Sequence, residues 1–569
     1  MSSDDEDYKL AIANSLQHTD ADVAQNVKAV SGEPIDLVSD ADGDDDDDDD
    51  EDLKRAIALS LQVDSNDNHV QPLNKSTAIP TSVQSGLSSM GMDRKAMEQE
   101  RLARLGKRKR KSSTERPSKQ APKTIASPAS STDTDLRYPM GTIKRTFATK
   151  YPRTDDMTID EVLEADTVRT AVISSFMWDS EWLFKKLNPV KTKQLWIMNA
   201  KGKDVQQRWQ KEMEDMGVPN LKIHFPPMDG MIQSMHSKLM LLFGPKKLRI
   251  VIPTANMIQT DWGEVANDWQ PGVMENSIFL IDLPRRGNET TSTKENMPRF
   301  GQELMYFLEM QKVPEMVLQG IWNFDFSQTS HLAFVHSIGG SHKTESEHPT
   351  GLPGLTRAIQ DLRLDNIEQM ELDYAASSLG ALNDSFLSRL YLAACGRCFA
   401  ADTATVPDVR NHIRIYFPTN ETVEKSVGGP DCGGIISLSQ QRYNADTFPR
   451  ECLRDYESLR VGMLSHNKLL LARGRKKDGR PVGWVYVGSA NLSESAWGGQ
   501  KVIKNGNMGS LNIRNWECGV VMTVPEDRLA RQDKDRTVPM SVFEGTVEIP
   551  FRTPGCGYGA KQPWFFRPG

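Results

Sequence analysis

Two stretches of the chain place the same three kinds of side chain in the same order. In the first, His236 and Lys238 open the apolar run Leu239–Phe243. A turn at Gly244-Pro245-Lys246-Lys247 follows, and a second apolar run, Leu248–Ile252, leads to Thr254-Ala255-Asn256. In the second, His466 and Lys468 open Leu469–Ala472, a basic glycine-containing turn follows, and Trp484–Val487 leads to Gly488-Ser489-Ala490-Asn491. In an extended chain, residues two apart point to the same side about 6.5–7 Å apart, so each His and Lys project together. If each hairpin closes, its Asn returns beside them. Two such triplets facing one another would gather two imidazoles, two ammonium groups and two amides around one point. That set suits attack on a phosphodiester without a metal. Lysines and amides stabilise the charge on the equatorial oxygens, one imidazole attacks phosphorus, and the other protonates the leaving oxygen. Neighbouring lysines would also depress the imidazole pKa and keep the nucleophile neutral near pH 7. A single His-x-Lys is an ordinary surface pair; the duplication, with an Asn 20 or 25 residues after each His, is what carries the inference.

These residues need strands to hold them. Buried strands are expected at Gln194–Met198, Leu239–Phe243, Leu248–Ile252, Ser277–Ile281, Ile413–Phe417, Leu469–Ala472, Trp484–Val487 and Gly519–Val524. Helical spacing is expected within Ile159–Lys186 (Val162, Leu163, Val168, Val172, Ile173, Phe176), at Ser385–Ala394 and at Tyr456–Leu459. Helices alternating with strands predict an α/β fold, divided here into similar domains at 136–345 and 346–569. Six cysteines in 569 residues, all between Cys395 and Cys556, are too few for a disulfide framework. Cys395-x-x-Cys398 lacks a second pair at zinc spacing and reads as helix packing, as His224, His331 and His336 read as loop or core. The opening Met-Ser-Ser-Asp-Asp-Glu-Asp is not a secretory signal, and no run approaches the roughly 18 apolar residues of a membrane span. A soluble intracellular protein with no membrane partner is expected.

Residues 1–135 have a composition too polar to form a core and predict a disordered tail with short helices, including one near Met97–Leu105. Residues 1–62 hold 19 acidic against 4 basic side chains, so the net charge of −8 conceals a balance of +7 over the remaining residues. An acidic chain therefore does not exclude a polyanionic partner. Within the tail, residues 4–17 recur as 49–62. Ala11 and Ser15 match Ala56 and Ser60, each pair following an acidic run on one expected helix face, with Leu10 in the first copy and Leu53 in the second as further candidate contacts. This repeat resembles the ubiquitin-interacting motif, which implies ubiquitin as a partner. Ile35–Asp40 resembles a SUMO-binding strand, and Lys107–Lys111 reads as a nuclear localisation signal or nucleic-acid contact.

The duplicated His-x-Lys…Asn pattern resembles that of the phospholipase D superfamily, and in particular the tyrosyl-DNA phosphodiesterase family. Superfamily members usually carry an Asp five residues after the Lys; Phe243 and Arg473 stand there instead, as in the tyrosyl-DNA branch. The resemblance runs over roughly 136–569 and includes Gly488–Ser493, Ala496-Trp497-Gly498, Asn515–Val520 and Pro563-Trp564. It implies two phospholipase-D-like α/β sandwich domains related by a pseudo-two-fold axis. It also implies a monomeric, metal-independent nuclear DNA-repair enzyme with no cofactor. The implied substrate is single-stranded or 3′-end DNA bearing a tyrosyl-peptide adduct. By the same resemblance His236 is the nucleophile, His466 the general acid, and Lys238, Lys468, Asn256 and Asn491 the phosphate clamp. Glu517 would support His236, and Asn267 would support His466. Ser377, Ser378, Ser489 and Trp516 would contact DNA, while the position of a base-stacking aromatic in some relatives is Ile232. A phospholipase D-type phosphodiesterase or nuclease, and a ubiquitin-reading adaptor with a non-catalytic fold, are the alternative functions.

Overall fold

The computed structural model describes residues 136–266, 271–272, 274–287, 296–343, 346–397, 406–500, 509–530 and 537–565. The ubiquitin-type and SUMO-type segments, the helix expected near Met97–Leu105, the Lys107–Lys111 run, Asn267 and Cys398 lie outside them.

Two sheets repeat one strand order. The first contains β1 (Thr142–Thr146), β2 (Asp156–Met157), β3 (Thr170–Ser174), β4 (Lys193–Ile197), β5 (Leu221–His224), β6 (Leu239–Phe243), β7 (Lys247–Pro253) and β8 (Ser277–Pro284). Their order is β2-β1-β8-β7-β6-β3-β4-β5. The second contains β9 (Leu332–Ser337), β10 (Ile367–Ala375), β11 (Ile413–Phe417), β12 (Leu453–Asp455), β13 (Leu469–Lys476), β14 (Pro481–Gly488) and β15 (Asn515–Thr523). Their order is β9-β15-β14-β13-β10-β11-β12. From β1 and from β9 the pairings run identically: four antiparallel, then two parallel. The two halves are thus an α/β repeat about a pseudo-two-fold axis.

Side-chain alternation along the hairpins builds the layers. On β13 and β14, Leu469, Leu471, Val485 and Val487 enter one core that also holds Leu239, Leu241, Ile250 and Ile252 of the first sheet. Leu470, Ala472, Trp484 and Tyr486 enter a second core with the helices Gly351–Asp361 and Asp384–Ala394. Strand periodicity thus divides successive residues between a core shared by both sheets and an outer core under helices.

Several expectations change. Ile159–Lys186 is not one helical stretch. Thr158 and Glu161 form a capping box that starts a helix at Ile159–Leu163, and Glu164 ends it in the left-handed region (φ 44°). Val172 and Ile173 lie instead on β3, where β-branched residues fit the sheet, and a second helix follows at Ser180–Lys186. Tyr456–Leu459 is a bent, hydrogen-bonded loop, not a helix. β9 pairs with β15 of the second sheet, so the second half begins before the expected 345/346 boundary.

Candidate active site

Each catalytic-type histidine sits where its chain crosses to the opposite half. Ser234–Met235 pair in parallel with Asn515–Trp516 at the start of β15, and the His236 amide donates to the Trp516 carbonyl at 3.0 Å. Reciprocally, Leu464–Ser465 pair with Met274–Glu275, and the His466 amide donates to the Glu275 carbonyl at 3.0 Å. Three residues later each chain has rejoined its own sheet, at Leu239 on β6 and Leu469 on β13. The crossing fixes the backbone on both sides of the His-x-Lys unit. Each Lys Nζ then donates to its own His carbonyl, Lys238 at 2.8 Å and Lys468 at 2.7 Å. His236, Lys238, His466 and Lys468 are all buried.

The imidazoles are backed across the interface between halves. Glu517 on β15 brings both carboxylate oxygens to His236 Nδ1, at 3.0 and 2.9 Å, and also accepts from Asn515 Nδ2 at 3.2 Å. Asp261, in the turn Gln259–Trp262 of the first half, brings Oδ2 to 3.1 Å from His466 Nδ1. The same oxygen accepts the Asn256 amide at 2.7 Å. Glu517 thus occupies Nδ1 of His236 and leaves its Nε2 for chemistry, whereas Asp261 stands within ion-pair reach of His466 Nδ1 without an aligned hydrogen bond. The Phe176 ring meets His236 edge-on, 5.2 Å between centroids.

Burial dominates the electrostatics. It lowers the His236 pKa to about 4, with Lys238 and Lys468 adding to the shift and Glu517 opposing it. Burial likewise lowers His466 to about 3, assisted by Lys468 and Lys238 and opposed by Asp261. Each lysine therefore acts on the imidazole of the other half, as expected of one shared site. Burial pushes Lys238 down to about 8, and Lys468 falls well below its ordinary value through burial and the Lys238 charge. Burial alone would raise the Asp261 carboxyl; His466, the Asn256 amide and Lys468 outweigh it and hold it low. Two buried lysines whose charges disfavour one another would be stabilised as cations by an anion in the site.

The amides complete the set. Asn491 follows β14, and its Oδ1 accepts from Ser377 Oγ at 3.2 Å and the Ser378 amide at 3.1 Å, which leaves Nδ2 to donate. Gly488, two residues before Ala490, has no room for a side chain: a Cβ would lie 2.5 Å from the Cys518 carbonyl. Asn256 follows β7, its amide tied to Asp261 and its carbonyl accepting from Trp262 Nε1 at 2.9 Å. Among the described residues, no three His, Cys, Asp or Glu side chains stand together as a metal site, and no helix is long and apolar enough to cross a membrane.

Comparison with known proteins decides the family. The model for tyrosyl-DNA phosphodiesterases matches residues 142–559. This chain belongs to the tyrosyl-DNA phosphodiesterase family. Tyrosyl-DNA phosphodiesterase 1 of Arabidopsis thaliana is 24% identical over 388 residues, 65% of this chain and 59% of that protein. Tyrosyl-DNA phosphodiesterase 1 of Drosophila melanogaster is 26% identical over 301 residues, 50% of this chain and 49% of that protein. The chain thus spans about half to three-fifths of these relatives. The crystal structure of yeast tyrosyl-DNA phosphodiesterase superposes with a TM-score of 0.53 at 15% identity, covering 75% of this chain and 99% of that one, and this likeness establishes the fold. The ubiquitin interaction motif model matches residues 3–17 and 48–62.

Within this tyrosyl-DNA phosphodiesterase frame, His236, Lys238, Asn256, His466, Lys468, Asn491 and Glu517 converge. Asn267 lies outside the described residues, and the group beside His466 Nδ1 is Asp261. Asp261 follows Asn256 by five residues in a short turn, where neither strand nor helix periodicity marks it. Ser377 and Ser378 stand beside Asn491, and Ser378 Oγ has no hydrogen-bond partner. Two expected DNA contacts are corrected. Ser489 is fully buried, accepting from the Cys518 amide at 2.9 Å and bonding the Cys518 carbonyl at 3.2 Å. Trp516 is also buried, with Nε1 on the Pro227 carbonyl and its ring against Phe307, so it offers no face to a base. Ile232 is buried beneath Gly339. Phe243 packs on Phe324, and Arg473 pairs with Asp373, so both positions are structural. Burial pushes the Cys395 thiol up to about 12, as for a packed rather than a ligating thiol. His224 and His331 bond the Gln311 and Met140 carbonyls, and His336 is buried against Glu303.

Proposed function

We propose that this chain is a DNA-repair phosphodiesterase that releases a DNA 3′ end from a tyrosyl peptide, of the kind a stalled topoisomerase I leaves. The observation that carries the reading is the pair of imidazoles, each with a carboxylate of the opposite half beside Nδ1, and two buried lysines whose charges act on both rings. His236, neutral at pH 7 because burial holds its pKa near 4, attacks phosphorus through Nε2. A bond forms between Nε2 and phosphorus while the bond from phosphorus to the tyrosyl oxygen breaks, and His466 gives that oxygen its proton. The negative phosphodiester offsets the lysine charges that help lower His466, and Asp261 favours the imidazolium, so substrate itself promotes the acid form. His466 then takes a proton from water, whose oxygen displaces His236 and leaves a 3′-phosphate on the DNA. Lys238, Lys468, Asn256 and Asn491 stabilise the equatorial oxygens in both steps, and the reaction needs no metal on this reading.

The test is turnover of a 3′-phosphotyrosyl oligonucleotide in EDTA. Full activity is expected with the chelator, and loss of at least about 10⁴-fold in His236→Ala; unchanged activity in both His236→Ala and His466→Ala would eliminate the proposal. Lys107–Lys111 would bring the chain, as a monomer, to the nucleus. The repeated motif at 3–17 and 48–62 supports recruitment by ubiquitin, and Ile35–Asp40 extends the proposal to SUMO. Titration of the full chain with ubiquitin should perturb Ala11 and Ala56 first, and no response there would remove that partner.

A further inference from the structure

The two histidine crossings rest on different footings. The carbonyl that holds the His236 amide belongs to Trp516, whose ring lies in the apolar core. The carbonyl that holds the His466 amide belongs to Glu275, whose side chain is fully buried in a cluster of charges. Glu275 Oε2 accepts from Ser458 Oγ at 2.7 Å, and Oε1 lies 3.4 Å from Arg145 Nη1 and 3.8 Å from Arg460 Nη1. Arg460 reaches back into the first half, to Asp156 at 2.8 Å and the Thr146 carbonyl at 2.7 Å. Arg145 continues to Glu548 at 2.5 Å. The Glu275 carbonyl also accepts from Asn467 Nδ2 at 3.2 Å, and Asn467 is the residue between His466 and Lys468. One residue thus joins a buried ion cluster, built from both halves, to the backbone on each side of the second catalytic-type imidazole.

We propose that Glu275, clamped by Arg145 and Arg460, is a positioning residue for His466 and sets the pace of the steps that His466 performs. The inference rests on the reaction proposed above. Among the described residues, no hydrogen bond or ion pair joins Glu275, Arg145 or Arg460 to His236, so adduct formation by His236 should proceed whenever the leaving group needs no proton. Both protonation of a tyrosyl oxygen and activation of water depend on where the imidazole stands. A displacement of about 1 Å can cost about 10²-fold in such transfers. Removing one member of a buried ion group leaves its partners uncompensated, so the loop moves rather than staying in place.

The experiment uses the full chain with two substrates, a 3′-phosphotyrosyl and a 3′-(p-nitrophenyl phosphate) oligonucleotide, and compares wild type with Glu275→Gln and Arg460→Lys. The burst of p-nitrophenol counts the competent enzyme and so corrects for any unfolded fraction. Expected in both variants are a burst rate within about twofold of wild type and tyrosyl turnover lower by about 10²-fold. The DNA–protein adduct should accumulate because its hydrolysis is slow. Equal slowing of burst and hydrolysis, or no change in either, would overturn the positioning role. If wild type itself releases neither tyrosine nor p-nitrophenol, the underlying reaction fails rather than the role of Glu275.

Discussion

His236 and His466 are copies of one design, yet their surroundings differ in kind. Glu517 devotes both oxygens to His236 Nδ1, and the backbone beneath is anchored by a tryptophan in the apolar core. Asp261 shares one oxygen between His466 and the Asn256 amide, its Oδ1 has no hydrogen-bond partner, and the backbone beneath is anchored by an ion cluster. On the proposed reaction, the first arrangement holds the imidazole by its Nδ1 and keeps Nε2 for attack, as a nucleophile requires. The second leaves a carboxylate able to follow an imidazole between its neutral and charged forms, as an acid and base requires. On the proposed reaction, the repeated hairpins supply both His, Lys and Asn sets, and the groups behind each ring divide the roles between them.

That contrast can be broken in several ways. The largest effect is expected for Glu517→Gln, which should slow formation of the adduct by about 10³-fold or more by freeing the nucleophile's ring. Single-turnover quench experiments would show it, and normal adduct formation would end the claim that Glu517 matters for attack. Next comes acid stability. His236 is held neutral in the folded state, its pKa falling from 6.5 to about 4, and His466 falls to about 3. Unfolded chains therefore bind protons that folded chains refuse. The stability these groups contribute is complete above pH 6.5 and is lost as pH drops toward 4 and 3, by about 3 kcal/mol for His236. Urea unfolding of His236→Asn between pH 7 and 4 should show a flatter loss than wild type, and an identical slope would mean the ring is not buried neutral.

A smaller effect, about 10²-fold, is expected for Asp261→Asn, and with the 3′-(p-nitrophenyl phosphate) oligonucleotide, whose leaving group needs no proton, it should fall on adduct hydrolysis rather than on formation. Uniform slowing of both steps would dissolve the division of roles. The smallest concerns the anchor of the His236 crossing. Trp516→Phe loses the bond to the Pro227 carbonyl and leaves a cavity where the larger ring packed, so stability should drop by about 2 kcal/mol. Affinity for single-stranded DNA should stay within about twofold, because a buried ring stacks on no base. A large loss of DNA affinity in fluorescence anisotropy would return Trp516 to the substrate.

Much of this was legible in sequence. The two His-x-Lys…Asn units lie on regular hairpins, where period-two spacing fixes which side chains project together, and Leu239–Phe243 and Ile413–Phe417 occur as strands at the expected residues. Short strands such as β1 and β5 escaped because β1 buries Arg145 at an inward position and β5 buries fully only its first residue, and Val172 and Ile173 satisfied a helical count although their β-branched side chains favour a sheet. Glu517 was reachable through the family pattern. Asp261 and Glu275 were not, because each acts through a fold-dependent crossing between halves that no local period records. The roles expected of Ser489 and Trp516 failed for the converse reason: motif residues beside a site are also the residues that pack it, and burial decides between the two.

The most direct test of divided roles is chemical trapping. A His466→Asn chain mixed with a 3′-(p-nitrophenyl phosphate) oligonucleotide should release one equivalent of p-nitrophenol and stop, with the DNA joined through phosphorus to His236 Nε2, as peptide mapping by mass spectrometry would read. Continued turnover, or an adduct on any residue other than His236, would contradict the account.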